Sequence, residues 1–187
     1  MLRTCLAVLA IVATVPAQAQ VAPFRDPLVD KLVGRWVLQG TIAGRGEIVH
    51  DVIGQWVLGH QYLLLRETSR QLRPGTTSPV HEAHFYIGWD QPRGRYGAIR
   101  LDVSGDSSPA VLGSAQPMIN ALPFVFTDDD GTVTRTTLTY ERATRRWRWL
   151  TIREKDGQST TDADLEMTRA PAAAPNLNGV AAEPAGR

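Results

Sequence analysis

Four histidines, at positions 50, 60, 81 and 84, are the side chains best suited to acid–base or metal chemistry, because imidazole titrates near neutral pH and ligates transition ions. Their spacing matches no helical zinc motif. On a strand, His81 and His84 point to opposite faces; Glu82, His84 and Tyr86 share one face, and Ala83, Phe85 and Ile87 share the other. Glu82 and His84 would form half of a metal site only if His50 or Asp51 joined them from another strand, and the plainer reading is a polar strand face. No metal site and no cofactor is assigned. His50 lies on a face with Ile48, Val52 and Trp56, where it reads either as a hydrogen-bonded core histidine or as a group that orients a ligand inside a cavity.

Other local patterns are turns or strand faces. Gly105-Asp106-Ser107 echoes the surroundings of a protease nucleophile, but a single small domain lacks the two barrels that form such a cleft. Asp128-Asp129-Asp130-Gly131 lacks the glutamate that closes an EF-type calcium loop, and Gly40, Gly44 and Gly46 lack the strand-to-helix setting of a dinucleotide loop. The run Arg142 to Trp149 is the densest basic–aromatic cluster. Its parity puts Trp147 and Trp149 on one face and Arg146 and Arg148 on the other, as in a half-buried strand with a solvated exterior.

The elements that must position these groups follow from punctuation and alternation. Residues 1–19 combine Arg3, an apolar run from Leu6 to Val15 and Ala17-Gln18-Ala19, the pattern of a signal peptide cleaved after Ala19, so the mature protein is expected to be periplasmic or secreted. The run is shorter than the roughly 20 residues of a membrane-spanning helix, and no membrane-spanning segment is expected. Cys5, the single cysteine, falls in that leader, leaving no disulfide. The whole chain has a formal charge of +1, which falls to zero once Arg3 is removed, so nothing draws in nucleic acid.

Residues 20–27 read as an N-terminal extension, 28–169 as one domain and 170–187 as a disordered Ala/Pro-rich tail. Asp26-Pro27 followed by Leu28, Val29, Leu32 and Val33 predicts a short N-terminal helix of about two turns, ended by Gly34. Beyond it, β-branched and aromatic runs alternate with Gly, Pro and Asp clusters, giving about ten strands between Trp36 and Met167. That many short antiparallel strands leave two exposed edges unless they close, so the expected fold class is all-β, a single antiparallel up-and-down β-barrel.

Gly34-Arg35-Trp36 on the first strand, after a short helix and before a continuous meander, resembles the calycin superfamily of lipocalins and their relatives. Trp56-Val57-Leu58-Gly59-His60-Gln61-Tyr62-Leu63, Ile87-Gly88-Trp89-Asp90 and Asp156-Gly157 are similar to a family of bacterial lipocalin-like domains of unknown function. The resemblance implies a barrel in which Trp36 plugs one end, with Arg153 or Arg169 packed across its ring. It carries no activity. Haem-binding relatives use an axial histidine late in the chain, and none follows His84.

The candidate lining of a cavity is Trp56, Tyr62, Phe85, Trp89, Tyr96, Phe124 and Trp147, with Arg100 as a polar anchor; Leu64, Ile87, Phe126, Arg66 and Asp102 complete the set. The expected function is binding of a small, largely apolar ligand inside the barrel, without turnover. The alternatives are an enzyme on the same scaffold using His50 or His84 with Glu82, Asp51 or Asp102, and a cavity-free module that acts through its surface. The sequence fixes neither the ligand nor the oligomeric state.

Overall fold

A computed structural model describes residues 22–103 and 110–171. The leader at 1–19 and most of the tail at 170–187 lie outside the described residues, as do Gly105, Asp106 and Ser107. Ten strands follow one another: β1 (Gly34–Ile42), β2 (Gly46–Val57), β3 (Tyr62–Ser69), β4 (Glu82–Asp90), β5 (Arg95–Asp102), β6 (Ala110–Ala115), β7 (Ala121–Thr127), β8 (Val133–Glu141), β9 (Arg146–Lys155) and β10 (Gln158–Arg169). Each pairs antiparallel with its neighbour in sequence, and β1 pairs with β10 from Trp36↔Arg169 to Ile42↔Ala163, so the sheet closes into a barrel. Among the described residues no helix is long and apolar enough to cross a membrane.

The helix expected before β1 is a single 3-10 turn, Val29–Leu32, and no α-helix occurs among the described residues. Asp26 caps it as the sequence suggests, its Oδ1 accepting from the backbone N–H groups of Leu28 and Val29 at 2.8 and 2.9 Å. Propagation stops for a local reason. The Leu32 carbonyl accepts the indole N–H of Trp36 at 2.8 Å, and Val33 is already extended, with Gly34 at φ +124°.

One end of the barrel is shut by this turn. Val29 and Leu32 are fully buried against Trp36, Leu38, Leu63, Leu122, Leu138, Trp147 and Met167. Gly54 permits that approach, because a Cβ there would stand 2.0 Å from the Leu32 carbonyl oxygen. Gly34 is needed twice over: its backbone is left-handed, and a Cβ would meet the Arg169 guanidinium at 2.1 Å. That guanidinium lies 3.8 Å from the Trp36 ring centroid and donates to the Val33 carbonyl at 2.7 Å. Arg169, not Arg153, is therefore the cation over the plug tryptophan.

Residues 22–27 run across the outside of the same end. Phe24 packs edge-on to Trp56 and stacks on Trp89, and its N–H donates to the His60 carbonyl at 3.0 Å. Tyr96 donates its hydroxyl proton to Asp26 Oδ2 at 2.7 Å; burial, then the Asp26 carboxylate, push the phenol well above its ordinary value.

Candidate functional site: a polar cup at the open end

Toward the other end the interior changes character. Phe85, Phe124, Phe126 and Trp149 form an aromatic layer with ring centroids 5.2 to 6.4 Å apart. Above it the apolar filling stops, and a cavity of about 440 Å³ opens to solvent. Its wall carries Phe126, Trp149 and Leu165 together with many polar groups: Glu67, His81, Arg100, Asp102, Thr134, Thr136, Thr151, Arg153 and Asp162.

Four strands supply charge to this cup by simple alternation. On β3, Leu63 and Leu65 point inward, so Glu67 does as well; on β5, Tyr96 and Ala98 carry the same parity to Arg100 and Asp102. Arg100 lies 3.3 Å from Asp102, and Arg153 on β9 lies 2.8 Å from Asp162 on β10. Asp162 enters through a β-bulge, where the β9–β10 register skips from Thr161 to Ala163. Thr136 and Thr151, directly opposite each other, share a buried hydrogen bond of 3.2 Å.

Beside the cup, His50 and His81 are buried around the largely buried Glu67. Glu67 Oε1 is 2.5 Å from His50 Nδ1 and 3.8 Å from His81 Nε2, and the two imidazoles stack with centroids 5.4 Å apart. Both histidines are 5% exposed. Their positions come from three segments: His50 from β2, Glu67 from β3, and His81 from the end of the β3–β4 loop, where its carbonyl accepts the Ser69 N–H at 2.9 Å. Burial pushes the Glu67 carboxyl up, but the His50 hydrogen bond and the charges of His81, His50 and Arg100 outweigh it and hold it below the ordinary carboxylate range. Burial pushes His81 down, with Glu67 opposing.

The sequence-derived lining divides among four places. Arg100 lines the cup, and Phe85 and Phe124 belong to the aromatic layer at its floor. Trp147 is fully buried in the closed half, and Trp36 is the plug there. Trp56, Trp89 and the buried Tyr96 gather under Phe24 at the plugged end, with the Trp56 indole donating to Asp30 Oδ1 at 3.0 Å. Tyr62 stands on the outer wall, its ring over Gly88. The β2–β3 turn explains that placement. Leu58, Gly59 and His60 all have positive φ, and the resulting register sets Trp56 against Leu63 and Val57 against Tyr62, so Leu63, Leu65 and Glu67 face inward while Tyr62, Leu64 and Arg66 do not.

The polar pair Glu82 and His84 is on the outer face, 3.6 Å apart, whereas His50 is inside and Asp51 is outside in an ion pair with Arg70. They cannot join one site. Sequence reasoning missed Glu67 altogether and left His81 unassigned; the face shared by Ala83, Phe85 and Ile87 was the signal that His81 points inward. A second concavity, about 620 Å³, is lined by residues of β1, β2, β8, β9 and β10. Its arginines are already paired, Arg146 with Glu166 at 2.6 Å and Arg148 with Asp164 at 2.8 Å, as a solvated strand face requires.

No protein-family model matches the chain, and no curated protein matches it. The site must therefore be read from its own chemistry.

Proposed function

We propose that the protein is an exported, lipocalin-like barrel that binds a small amphiphilic molecule in the cup at its open end. The export half of that reading rests on residues 1–19, and the lipocalin-like half on the Gly34–Trp36 motif and the Arg169 cation over Trp36. The lower interior is packed with side chains, so the ligand is confined to the cup. A ligand suited to it has an apolar body for Phe126, Trp149 and Leu165 and polar groups for Arg100, Glu67 and the threonines. The polar wall shifts the expected ligand from largely apolar to amphiphilic.

One observation carries this reading: the barrel leaves about 440 Å³ open over a buried carboxylate–imidazole cluster. A merely structural barrel would fill that space with Leu or Phe, since buried charge costs several kcal/mol or more unless compensated. The volume sits at the lower end of the roughly 300–1,000 Å³ typical of small-molecule pockets. The test is a thermal-shift screen of small amphiphilic acids, amines and alcohols against the protein and a Thr151→Trp variant that fills the cup. Stabilisation of the first and not the second is expected; a screen in which no compound stabilises either protein contradicts the proposal.

A second reading, acid–base catalysis on a molecule in the cup, is favoured by the 2.5 Å contact between His50 and Glu67. It shifts the candidate pair from His84 with Glu82 to His50 with Glu67. Turnover of a stabilising compound, abolished in Glu67→Gln, would decide for it.

A further inference from the structure

Two imidazoles and one carboxylate, from three separate segments, present donor atoms that all lie within 4.8 Å of one another. We propose that His50, Glu67 and His81 form a three-ligand site for a divalent first-row transition ion at the side of the cup. The inference concerns the same cavity as the ligand proposal but rests on this convergence alone.

Three features argue for an ion. The chemistry of the donor set is right, because two histidines and a carboxylate suit Zn²⁺ or Fe²⁺ and leave coordination positions vacant for solvent or substrate. The separations are right as well. Metal–ligand bonds of about 2.0–2.2 Å put neighbouring donors roughly 3.3 Å apart in a tetrahedron. The observed 2.5 Å from Glu67 to His50 and 3.8 Å from Glu67 to His81 bracket that value, so small side-chain adjustments suffice. Finally, both histidine rings bring nitrogen to the same carboxylate oxygen, Oε1, with planes only 24° apart. One hydrogen bond to Glu67 needs one imidazole; the second brings a further nitrogen to the point where a single ion would meet all three donors.

The site also has access. Glu67 and His81 line the cavity while His50 stands behind them, so an ion held there faces the cup. The proton between His50 and Glu67 would leave on binding, as it does wherever a metal displaces a shared proton. With an ion in place, the polar end of a cup ligand has a Lewis acid to bind, in addition to Arg100.

The experiment titrates the purified protein with Zn²⁺ by calorimetry and with Co²⁺ by visible absorption, alongside Glu67→Gln and His81→Ala. One equivalent of each ion should bind, with affinity falling about 100-fold in either variant. X-ray absorption of the Zn²⁺-loaded wild type should show two imidazole nitrogens and an oxygen, a readout independent of whether the variants fold. Absence of binding to the folded wild type, binding unchanged in both variants, or a sulfur ligand would overturn the site. The thermal-shift comparison with Thr151→Trp, run without added metal, reports on the cup ligand separately, so failure of one leaves the other standing.

Discussion

The two ends of this barrel are made by the same ten strands and the same alternation, yet their interiors follow opposite rules. At the closed end the inward positions are apolar, and most of the polar atoms are matched within the fold: the Trp36 indole with the Leu32 carbonyl, the Tyr96 hydroxyl with Asp26, Arg169 with the Val33 carbonyl, while the Trp147 indole N–H is buried without a hydrogen-bond partner. At the open end the inward positions include Glu67, Arg100, Asp102, Thr136, Thr151 and Arg153, around space that no described side chain fills. Stability is concentrated in one half, which leaves the other free to carry groups that cost stability. Polar residues facing into a barrel are thus informative by their depth, not by their number.

This contrast makes mutations at the two ends behave differently. The largest loss should come from Trp36→Ala, which empties the plug, strands the Leu32 carbonyl and removes the ring beneath Arg169; about 3–5 kcal/mol is expected, read as a lowered denaturation midpoint. Gly54→Ala should follow. Its new Cβ would collide with backbone rather than a flexible side chain, and overpacking of that kind costs about 1–3 kcal/mol. Arg169→Ala should cost about 1–2 kcal/mol through the lost cation–ring contact and carbonyl bond, with Arg169→Lys recovering part of it.

Tyr96→Phe loses one hydrogen bond to a carboxylate and should cost about 1 kcal/mol at neutral pH. The sign with pH is fixed by the raised folded value: the contribution is full below the ordinary tyrosine range near 10 and falls as pH rises beyond it. Wild type should therefore lose stability in alkaline solution more steeply than Tyr96→Phe. At the open end the double change Thr136→Val and Thr151→Val removes both partners of one bond at constant shape, so stability should move by less than about 1 kcal/mol while affinity for a polar cup ligand falls. A large loss of stability there would erase the distinction between the ends.

The barrel itself was readable because alternation and turn residues recur in phase all along the chain. All ten expected strands match observed ones, with ends displaced by up to two residues, and Arg146/Arg148 against Trp147/Trp149 fall on the faces that parity assigns. The burial of Trp36 was readable through the Gly34-Arg35-Trp36 motif. The site was not, for two physical reasons. Three consecutive left-handed residues, Leu58 to His60, set the register of β3, and a one-residue offset exchanges Tyr62 and Arg66 for Leu63 and Glu67. The other reason is depth: Trp56, Trp89 and Tyr96 share a parity compatible with lining but stand at strand ends next to the plug, which alternation alone cannot tell from the open mouth.

The five tryptophans offer the most direct test of where a ligand binds, because Trp149 alone lines the cup whereas Trp36, Trp56, Trp89 and Trp147 belong to the closed end. Their indole N–H cross-peaks can be followed by nitrogen–proton correlation NMR while the strongest compound from the thermal-shift screen is added. Binding in the cup requires the Trp149 peak to move with saturating dose while the Trp36 and Trp147 peaks hold still. Movement of Trp56 and Trp89 with Trp149 unchanged would put the ligand at the plugged end and contradict the division of the barrel into a sealed half and a binding half.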